Sequence, residues 1–306
     1  MNDNTDVLVV GTGYLGQKVA QLSREQGAMV YATTRRKTRF ESLSEAGFHP
    51  VQYDWTDQTT YGNLPLSQLS ASARVVVSVS YDRKSRISRY QSQVGGLRNL
   101  LEILPPDVRI CYISTTGVYH QIDGGWVDET SPTHPSRPGG RVHLQAEQLL
   151  HAMRPVSPWR VLRLAGIYGP GRVPRAADVI AGRPIASPEL GFLNLIHVHD
   201  AARAIISAWQ SMREPARALP AGMQARLYAV GDDSPVRRGD FYREIAKQCG
   251  SDPPRFTAPR PDAPVQMRSD SNKRVWNRKL RRDLLSSLDF PDYRCGLADV
   301  LLPPVE

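Results

Sequence analysis

The chain of 306 residues is 41% hydrophobic and 23% charged and has no repeat or low-complexity tract, which excludes a disordered or fibrous protein and allows one or two domains. No apolar run approaches the roughly 20 residues of a membrane span, and three scattered cysteines provide neither a disulfide framework nor a metal site. The net charge of +9 is spread along the chain, and its basic clusters lack the interleaved aromatic residues that are typical of nucleic-acid binding.

The first predicted elements are a buried strand, a glycine turn and an amphipathic helix within TDVLVVGTGYLGQKVAQ. The turn contains Gly11, Gly13 and Gly16, spaced as in the dinucleotide fingerprint, where they allow a tight turn, a close approach to the pyrophosphate and close packing of helix and strand. Helix amides and the helix dipole then stabilise the anion. We therefore predict that this segment, including Tyr14 and Leu15, binds a dinucleotide.

The second predicted strand ends where an acidic residue would bind the ribose of NAD, but the chain has Thr34, Arg35 and Arg36 there. Guanidinium groups bind a 2′-phosphate through charge-assisted hydrogen bonds, so the sequence favours NADP (NADPH) over NAD. The alternative is that both arginines are ordinary surface charges. Asp54 ends the third predicted strand and is expected to reach the adenine amine, although an Asp after a strand is also a common turn residue.

Two further apolar runs, ARVVVSVS and VRICYIST, are typical of parallel strands buried on both faces. The fold class is therefore α/β, with a Rossmann doubly wound parallel sheet and a smaller C-terminal substrate-binding lobe. We expect residues 1–166 to form the NADP-binding domain, with 192–210 and about 226–232 returning to it, and 167–191 and 233–306 to form the lobe. Ser78, Val79 and Leu164 are further predicted cofactor contacts.

The segments STTGVY, LRLAGIYGPGR and NLIHVHDAARAI, in this order, resemble the extended and atypical short-chain dehydrogenase/reductases of the NAD(P)-dependent epimerase/dehydratase family. The resemblance implies that Thr115 orients a substrate oxygen. It also implies a tyrosine that transfers a proton and a lysine four residues later that lowers the pKa of the tyrosine and binds the nicotinamide ribose. In GGRVHLQAEQLL the corresponding positions are Gly139 and His143, so both members of the pair are replaced.

Two residues are candidates for the missing chemistry. His143 has an ordinary pKa near 6.5 and is the best-placed replacement for the lysine, unless it is only a partly buried helix residue. Tyr81 follows the fourth predicted strand in a loop that passes close to the nicotinamide in the family, so its phenol is a second candidate. A dehydratase is disfavoured because Thr116 and Gly117 stand where that group has an acidic pair.

The leading hypothesis is an atypical cytoplasmic NADP-dependent oxidoreductase that reduces a carbonyl, imine or activated alkene on a small molecule. The alternatives are an NADP-binding sensor or interaction protein without catalysis, and an enzyme that uses the fold without redox chemistry. The family resemblance places Arg172, Arg175, Lys273 and Arg274 at the border of the cleft, where they would suit an anionic substrate. No metal, nucleic-acid or membrane partner is expected, and a homodimer is left open.

Overall fold

The structure is a computed structural model that describes residues 6–70, 73–212, 223–257 and 271–301. Seven parallel strands form its central sheet: β1 (Val7–Val10), β2 (Val30–Thr34), β3 (His49–Gln52), β4 (Arg74–Val77), β5 (Arg109–Thr115), β6 (Trp159–Leu164) and β7 (Leu227–Val230). In the part of the chain that the structure describes, eight short strands pair outside this sheet: Trp126–Val127 with Arg274–Val275, Gly166–Tyr168 with Leu195–His197, Ile185–Ala186 with Phe256–Thr257, and Phe192–Leu193 with Val236–Arg237.

Helices connect and cover the strands. Within the described residues they are α1 (Tyr14–Glu25), α2 (Phe40–Glu45), α3 (Gly96–Ile103), α4 (Pro138–Met153), α5 (Ala176–Ile180), α6 (Val198–Gln210), α7 (Arg238–Cys249), α8 (Arg278–Asp283) and α9 (Tyr293–Leu301). None of these helices is long and apolar enough to cross a bilayer. A π-helical turn at Gln91–Gly95 leads into α3.

The strands are ordered β7-β6-β5-β4-β1-β2-β3 across the sheet, so the chain changes direction between β1 and β4. The first three strands extend the sheet to one side, and the later strands extend it to the other. In open α/β sheets this switch point leaves a crevice at the carboxyl ends of the strands, where ligands bind. The predicted doubly wound Rossmann sheet is confirmed.

Both faces of the sheet are covered, which explains the unbroken apolar run in β1. Val7 and Val9 belong to the core that includes residues of α1 and α6, whereas Leu8 and Val10 belong to the core that includes residues of α3 and α4. Each of the four side chains is at most 1% exposed. Strands buried on two faces need apolar residues at every position rather than at alternate ones.

A third apolar cluster lies in the second half of the chain. It packs α5, α7 and α9 together through residues that include Tyr168, Phe241, Ile245 and Leu297, each of them fully buried. This cluster is separate from the two cores that flank the central sheet. The division of the chain into a cofactor domain and a substrate lobe remains a prediction.

Candidate active site

The glycine turn after β1 has the backbone geometry that its sequence predicts. Gly11 has a φ of +92°, and a Cβ atom at this position would lie 2.9 Å from the backbone nitrogen of Val79. The Gly11 amide donates to Thr33 Oγ1 at 2.9 Å, and Ser78 Oγ donates to the Gly11 carbonyl at 2.8 Å. The ends of β2 and β4 therefore hold this turn in place, and Ser78 and Val79 support it from behind.

The other two glycines have different surroundings. A Cβ atom on Gly16 would lie 2.3 Å from the Gly11 carbonyl oxygen, so only glycine allows α1 to pack this closely on the turn. A Cβ atom on Gly13 would meet no heavy atom within 4 Å. Among the residues that the structure describes, no side chain caps the N-terminus of α1, and the first turn of this helix contains no acidic residue. The turn therefore offers helix amides and open space to an anion, which are the features that a pyrophosphate requires.

Tyr14 and Leu15 lie just inside α1 and face different surroundings. Leu15 packs in the core, whereas the Tyr14 hydroxyl donates to the carbonyl of Pro170 at 3.1 Å. The guanidinium of Arg172 lies 5.3 Å from the centre of the Tyr14 ring. Tyr14 therefore connects the glycine turn with the turn that follows Gly166–Tyr168.

Positive charge gathers at the end of β2. Arg35 forms an ion pair with Asp82 at 3.1 Å, and the side chain of Arg36 is exposed next to it. Arg39, which the sequence did not single out, donates to the carbonyl of Thr12 inside the glycine turn at 2.6 Å. Three guanidinium groups, those of Arg35, Arg36 and Arg39, thus follow the end of β2, and part of the charge of Arg35 is balanced by Asp82.

Three further predicted cofactor contacts also have local roles. Thr34 is buried, and its hydroxyl accepts a hydrogen bond from the Arg36 amide at 3.2 Å. Asp54 Oδ1 accepts from both the amide and the hydroxyl of Thr56, at 2.9 and 2.6 Å, so this carboxylate stabilises the turn after β3. Leu164 is 3% exposed and packs in the core, so a contact between this residue and a cofactor would involve its main chain.

Thr115 is the last residue of β5 and stands at the start of α4 and the adjoining turn. Its Oγ1 accepts from the Gly117 amide at 3.0 Å, which leaves the hydroxyl proton available for a substrate oxygen. A Cβ atom on Gly140 would lie 2.3 Å from the Gly117 carbonyl oxygen, so glycine at 140 brings α4 close to this turn. The local packing thus fixes the predicted orienting hydroxyl against the helix that carries residues 139 and 143.

His143 lies one helical turn into α4 and contacts a buried phenol. The hydroxyl of Tyr112, on β5, is 3.0 Å from His143 Nδ1. Burial, together with the nearby charge of Arg89, lowers the pKa of His143 to about 4. The imidazole is therefore neutral at pH 7, and His143 does not supply the positive charge that the lysine of the family would supply.

The cation beside these positions is Arg89, which the sequence did not suggest. A Cβ atom on Gly139 would lie 3.8 Å from Arg89 Nη1, and the Arg89 guanidinium lies 4.3 Å from the centre of the Tyr81 ring. The Tyr81 hydroxyl donates to the carbonyl of Ile87 at 3.1 Å. Tyr81, Gly139 and His143 therefore surround one guanidinium group.

A buried ion pair supports α4 from behind. Arg163 on β6 donates two hydrogen bonds to Glu147, at 3.1 and 2.7 Å, and Ser114 donates a third at 2.5 Å. The remaining nitrogen of Arg163, Nη1, donates to the hydroxyl of Tyr119 at 3.1 Å. This network joins α4 to β5 and β6 just below Thr115.

Lys273 differs from the sequence-based expectation because the structure buries it. The side chain is 4% exposed, and Nζ donates to the Ser271 hydroxyl at 2.7 Å and to the Tyr119 carbonyl at 3.3 Å. Burial, with the charges of Arg137 and Arg238, lowers the pKa of Lys273 to about 8. Lys273 is thus a buried cation near the start of α4 rather than a surface charge.

The parallel sheet with its switch point and the glycine turn beneath an uncapped helix define a Rossmann-type fold of the dinucleotide-binding kind. The sequence matches the family described as NAD dependent epimerase/dehydratase over residues 7–219, and the chain belongs to this family. The resemblance seen in the sequence is therefore confirmed.

Several known proteins are similar to the chain. Protein YeeZ from Escherichia coli is 27% identical over 252 residues, which cover 82% of this chain and 86% of that protein. A functionally unknown conserved protein from Silicibacter pomeroyi is 28% identical, with a TM-score of 0.75 and 96% coverage of both chains. A putative NAD-dependent epimerase/dehydratase from Methylobacillus flagellatus is 29% identical, with a TM-score of 0.73 and 98% coverage of both chains.

Proposed function

We propose that the chain is an NADP-dependent oxidoreductase that reduces a carbonyl, an imine or an activated alkene on a small molecule. The observation that carries this proposal is the glycine turn, where Gly13 leaves open space beneath the uncapped N-terminus of α1. The family to which the chain belongs takes its name from NAD, which supports a nicotinamide dinucleotide as the ligand of this turn.

The choice of NADP depends on the residues after β2. An acidic residue there would accept hydrogen bonds from the ribose 2′-hydroxyl and repel a 2′-phosphate. The chain instead has Arg35 and Arg36 at this point, and Arg39 lies against the glycine turn. Guanidinium groups bind phosphate through paired charge-assisted hydrogen bonds, so this end of β2 is suited to the additional phosphate of NADP.

The proposed chemistry is the reduction of an acceptor atom by the hydride that a bound reduced nicotinamide supplies. Thr115 orients the substrate oxygen or nitrogen through its free hydroxyl proton. A neutral His143 is a weak acid, so an unassisted ketone is a poor substrate at pH 7. An iminium substrate arrives with its proton already in place and needs only orientation. Tyr81 is the second proton donor that this proposal allows.

A titration with NADPH and with NADH tests the cofactor assignment. The chain has five tryptophans, so binding is measured as energy transfer from tryptophan to the reduced nicotinamide. We expect NADPH to bind more tightly than NADH. Arg36→Gln should weaken NADPH binding about tenfold, which corresponds to about 1.4 kcal/mol, and leave NADH binding unchanged.

Arg98→Gln is the matched control, because Arg98 is exposed on α3 and its replacement removes the same charge. Equal affinity for the two cofactors, or an equal loss for both in Arg36→Gln, would contradict the assignment to NADP. Absence of binding by either cofactor would overturn the oxidoreductase proposal as a whole.

A second candidate function is an NADP-binding sensor or interaction protein that performs no chemistry. Glycine at position 139 and a neutral histidine at position 143 favour it, because neither residue replaces the acid and the cation of the family. An enzyme without redox chemistry is a third option. Consumption of NADPH in the presence of a panel of carbonyl and imine compounds separates the first candidate from the other two.

A further inference from the structure

Arg89 lies beside both positions at which this chain departs from its family. Its loop follows β4, and its guanidinium faces Gly139, as the 3.8 Å from Nη1 to a Cβ atom at that position shows. Its charge also acts on His143, whose pKa it lowers in addition to the effect of burial. The space that a tyrosine side chain would enter is therefore bordered by a permanent cation.

No carboxylate of the described residues balances this cation. Across residues 6–70, 73–212, 223–257 and 271–301, the contact of Arg89 is its stacking over the Tyr81 ring at 4.3 Å, and its nitrogens form neither a hydrogen bond nor an ion pair. The residue is partly buried. A guanidinium group has five N–H donors, and those of Arg89 still reach solvent, so they are open to an acceptor that enters the site.

The contact with the Tyr81 ring also determines which side of the Arg89 guanidinium can bind a ligand. The Tyr81 ring occupies one side of the guanidinium, 4.3 Å from its central carbon, and the N–H groups remain for an acceptor. An oxyanion with two parallel oxygens matches that edge and forms two charge-assisted hydrogen bonds with it. Thr115, at the end of β5, and His143, on α4, mark the position of the reacting group in the proposed function.

We propose that Arg89 binds an oxyanion of the substrate, a carboxylate or a phosphate, next to the carbon that is reduced. This inference rests on the proposed function and narrows its substrate class to small carbonyl or imine compounds that carry such a group. A lone ketone or aldehyde would leave the guanidinium without a partner and would bind weakly.

The oxyanion would also change the chemistry of His143. The charged group that acts on this imidazole is Arg89 in the loop. Glu147, one turn further along the same helix, is paired with Arg163, and the neutral phenol of Tyr112 faces the imidazole from β5. A bound anion offsets the charge of Arg89 and therefore raises the pKa of His143. In the reduction of an iminium substrate, the carbon would gain the hydride and the nitrogen would keep the proton it arrived with, so the neutral imidazole need not donate one. A carbonyl oxygen would instead take its proton from the fraction of His143 that the bound anion protonates, and that imidazole would become neutral.

Calorimetric titration of the full chain with pyruvate and with inorganic phosphate at pH 7 tests the inference. We expect at least one of these probes to bind, and Arg89→Gln to weaken its binding at least tenfold. Arg89→Lys should also bind less tightly than the wild type, because an ammonium group lacks the planar pair of donors. Arg86→Gln is the matched control, since Arg86 is an exposed residue of the same loop.

Nuclear magnetic resonance of the imidazole provides a second readout that a merely structural role would not produce. The probe that binds should raise the pKa of His143 in the wild-type chain, and Arg89→Gln should raise it without any probe and make it insensitive to the anion. The resonance is assigned by its absence in His143→Asn.

The outcomes separate this inference from the proposed function. Binding of pyruvate alone identifies a carboxylate site, and binding of phosphate alone identifies a phosphate site. Anion binding that depends on Arg89 without NADPH binding would refute the oxidoreductase proposal but leave the oxyanion site standing. Failure of both probes to bind, or an equal affinity in Arg89→Gln, would overturn the oxyanion site whether or not NADPH binds.

Discussion

The buried pair of Glu147 and Arg163 gives the sharpest prediction about stability. The two side chains are 0% and 3% exposed, and two hydrogen bonds connect them. Although burial lowers the pKa of Arg163, the hydrogen bonds and charge of Glu147 raise it above its ordinary value. Glu147→Gln preserves the shape of the side chain but places an amide group against the guanidinium, which leaves a buried cation without its counter-charge.

Loss of one partner of a buried ion pair costs roughly 3–5 kcal/mol. A domain has a free energy of unfolding of about 5–15 kcal/mol, so Glu147→Gln should remove a large part of it. The measurement is urea unfolding followed by tryptophan fluorescence. Glu102→Gln is the control, because Glu102 is an exposed residue of α3, and its change should stay within about 0.5 kcal/mol.

A double variant separates the ion pair from the general effect of changing a buried side chain. Glu147→Leu combined with Arg163→Met removes both charges together and should cost less than Glu147→Gln alone, because no unbalanced charge remains. The prediction is refuted if the free energy of unfolding of Glu147→Gln lies within about 1 kcal/mol of the wild-type value. It is also refuted if the double variant loses as much stability as Glu147→Gln or more, because the cost would then not come from an unbalanced charge.

Two further predictions concern the glycine turn and Lys273. Gly13→Val should leave thermal stability unchanged, since no heavy atom of the described residues lies within 4 Å of its Cβ position, but it should weaken NADPH binding at least tenfold by filling that space. Gly62→Val is the control, because its Cβ position is equally open, and it should retain NADPH binding. Burial lowers the pKa of Lys273 to about 8 from an ordinary 10.5. Between these two pH values the lysine is protonated in the unfolded chain but largely deprotonated in the folded one, so the free energy of unfolding rises with pH from about 8 to 10. Lys273→Met should remove that rise in a series of thermal melts, and an unchanged pH dependence would contradict the buried charge.

The fold was predictable because its signals are local. The apolar runs of β1, β4 and β5 and the spacing of Gly11, Gly13 and Gly16 each lie within a few residues of the chain. Strands buried on both faces leave a continuous apolar pattern, and a tight turn above a helix requires glycine at fixed positions. The sequence therefore indicated both the sheet and the turn before any distance was known.

The charges of the candidate site were not predictable in the same way, because they come from distant parts of the chain. Arg89 precedes Gly139 by 50 positions, and only the packing of α4 next to the loop after β4 brings them together. The contact of His143 with the buried Tyr112 likewise depends on the register between α4 and β5. Local sequence identified position 143 as unusual, whereas tertiary structure decided that its imidazole is neutral.

The fixed position of α4 has a consequence for how substrate preference would change in related chains. The network of Glu147, Arg163 and Ser114 and the close contact at Gly140 hold this helix to the sheet, so moving it would disrupt buried hydrogen bonds. Arg89 stands on a loop that is outside this network. Exchange of a few loop residues can therefore alter the charge next to His143 at little cost in stability, which makes the loop the part of the site where divergence between relatives should concentrate.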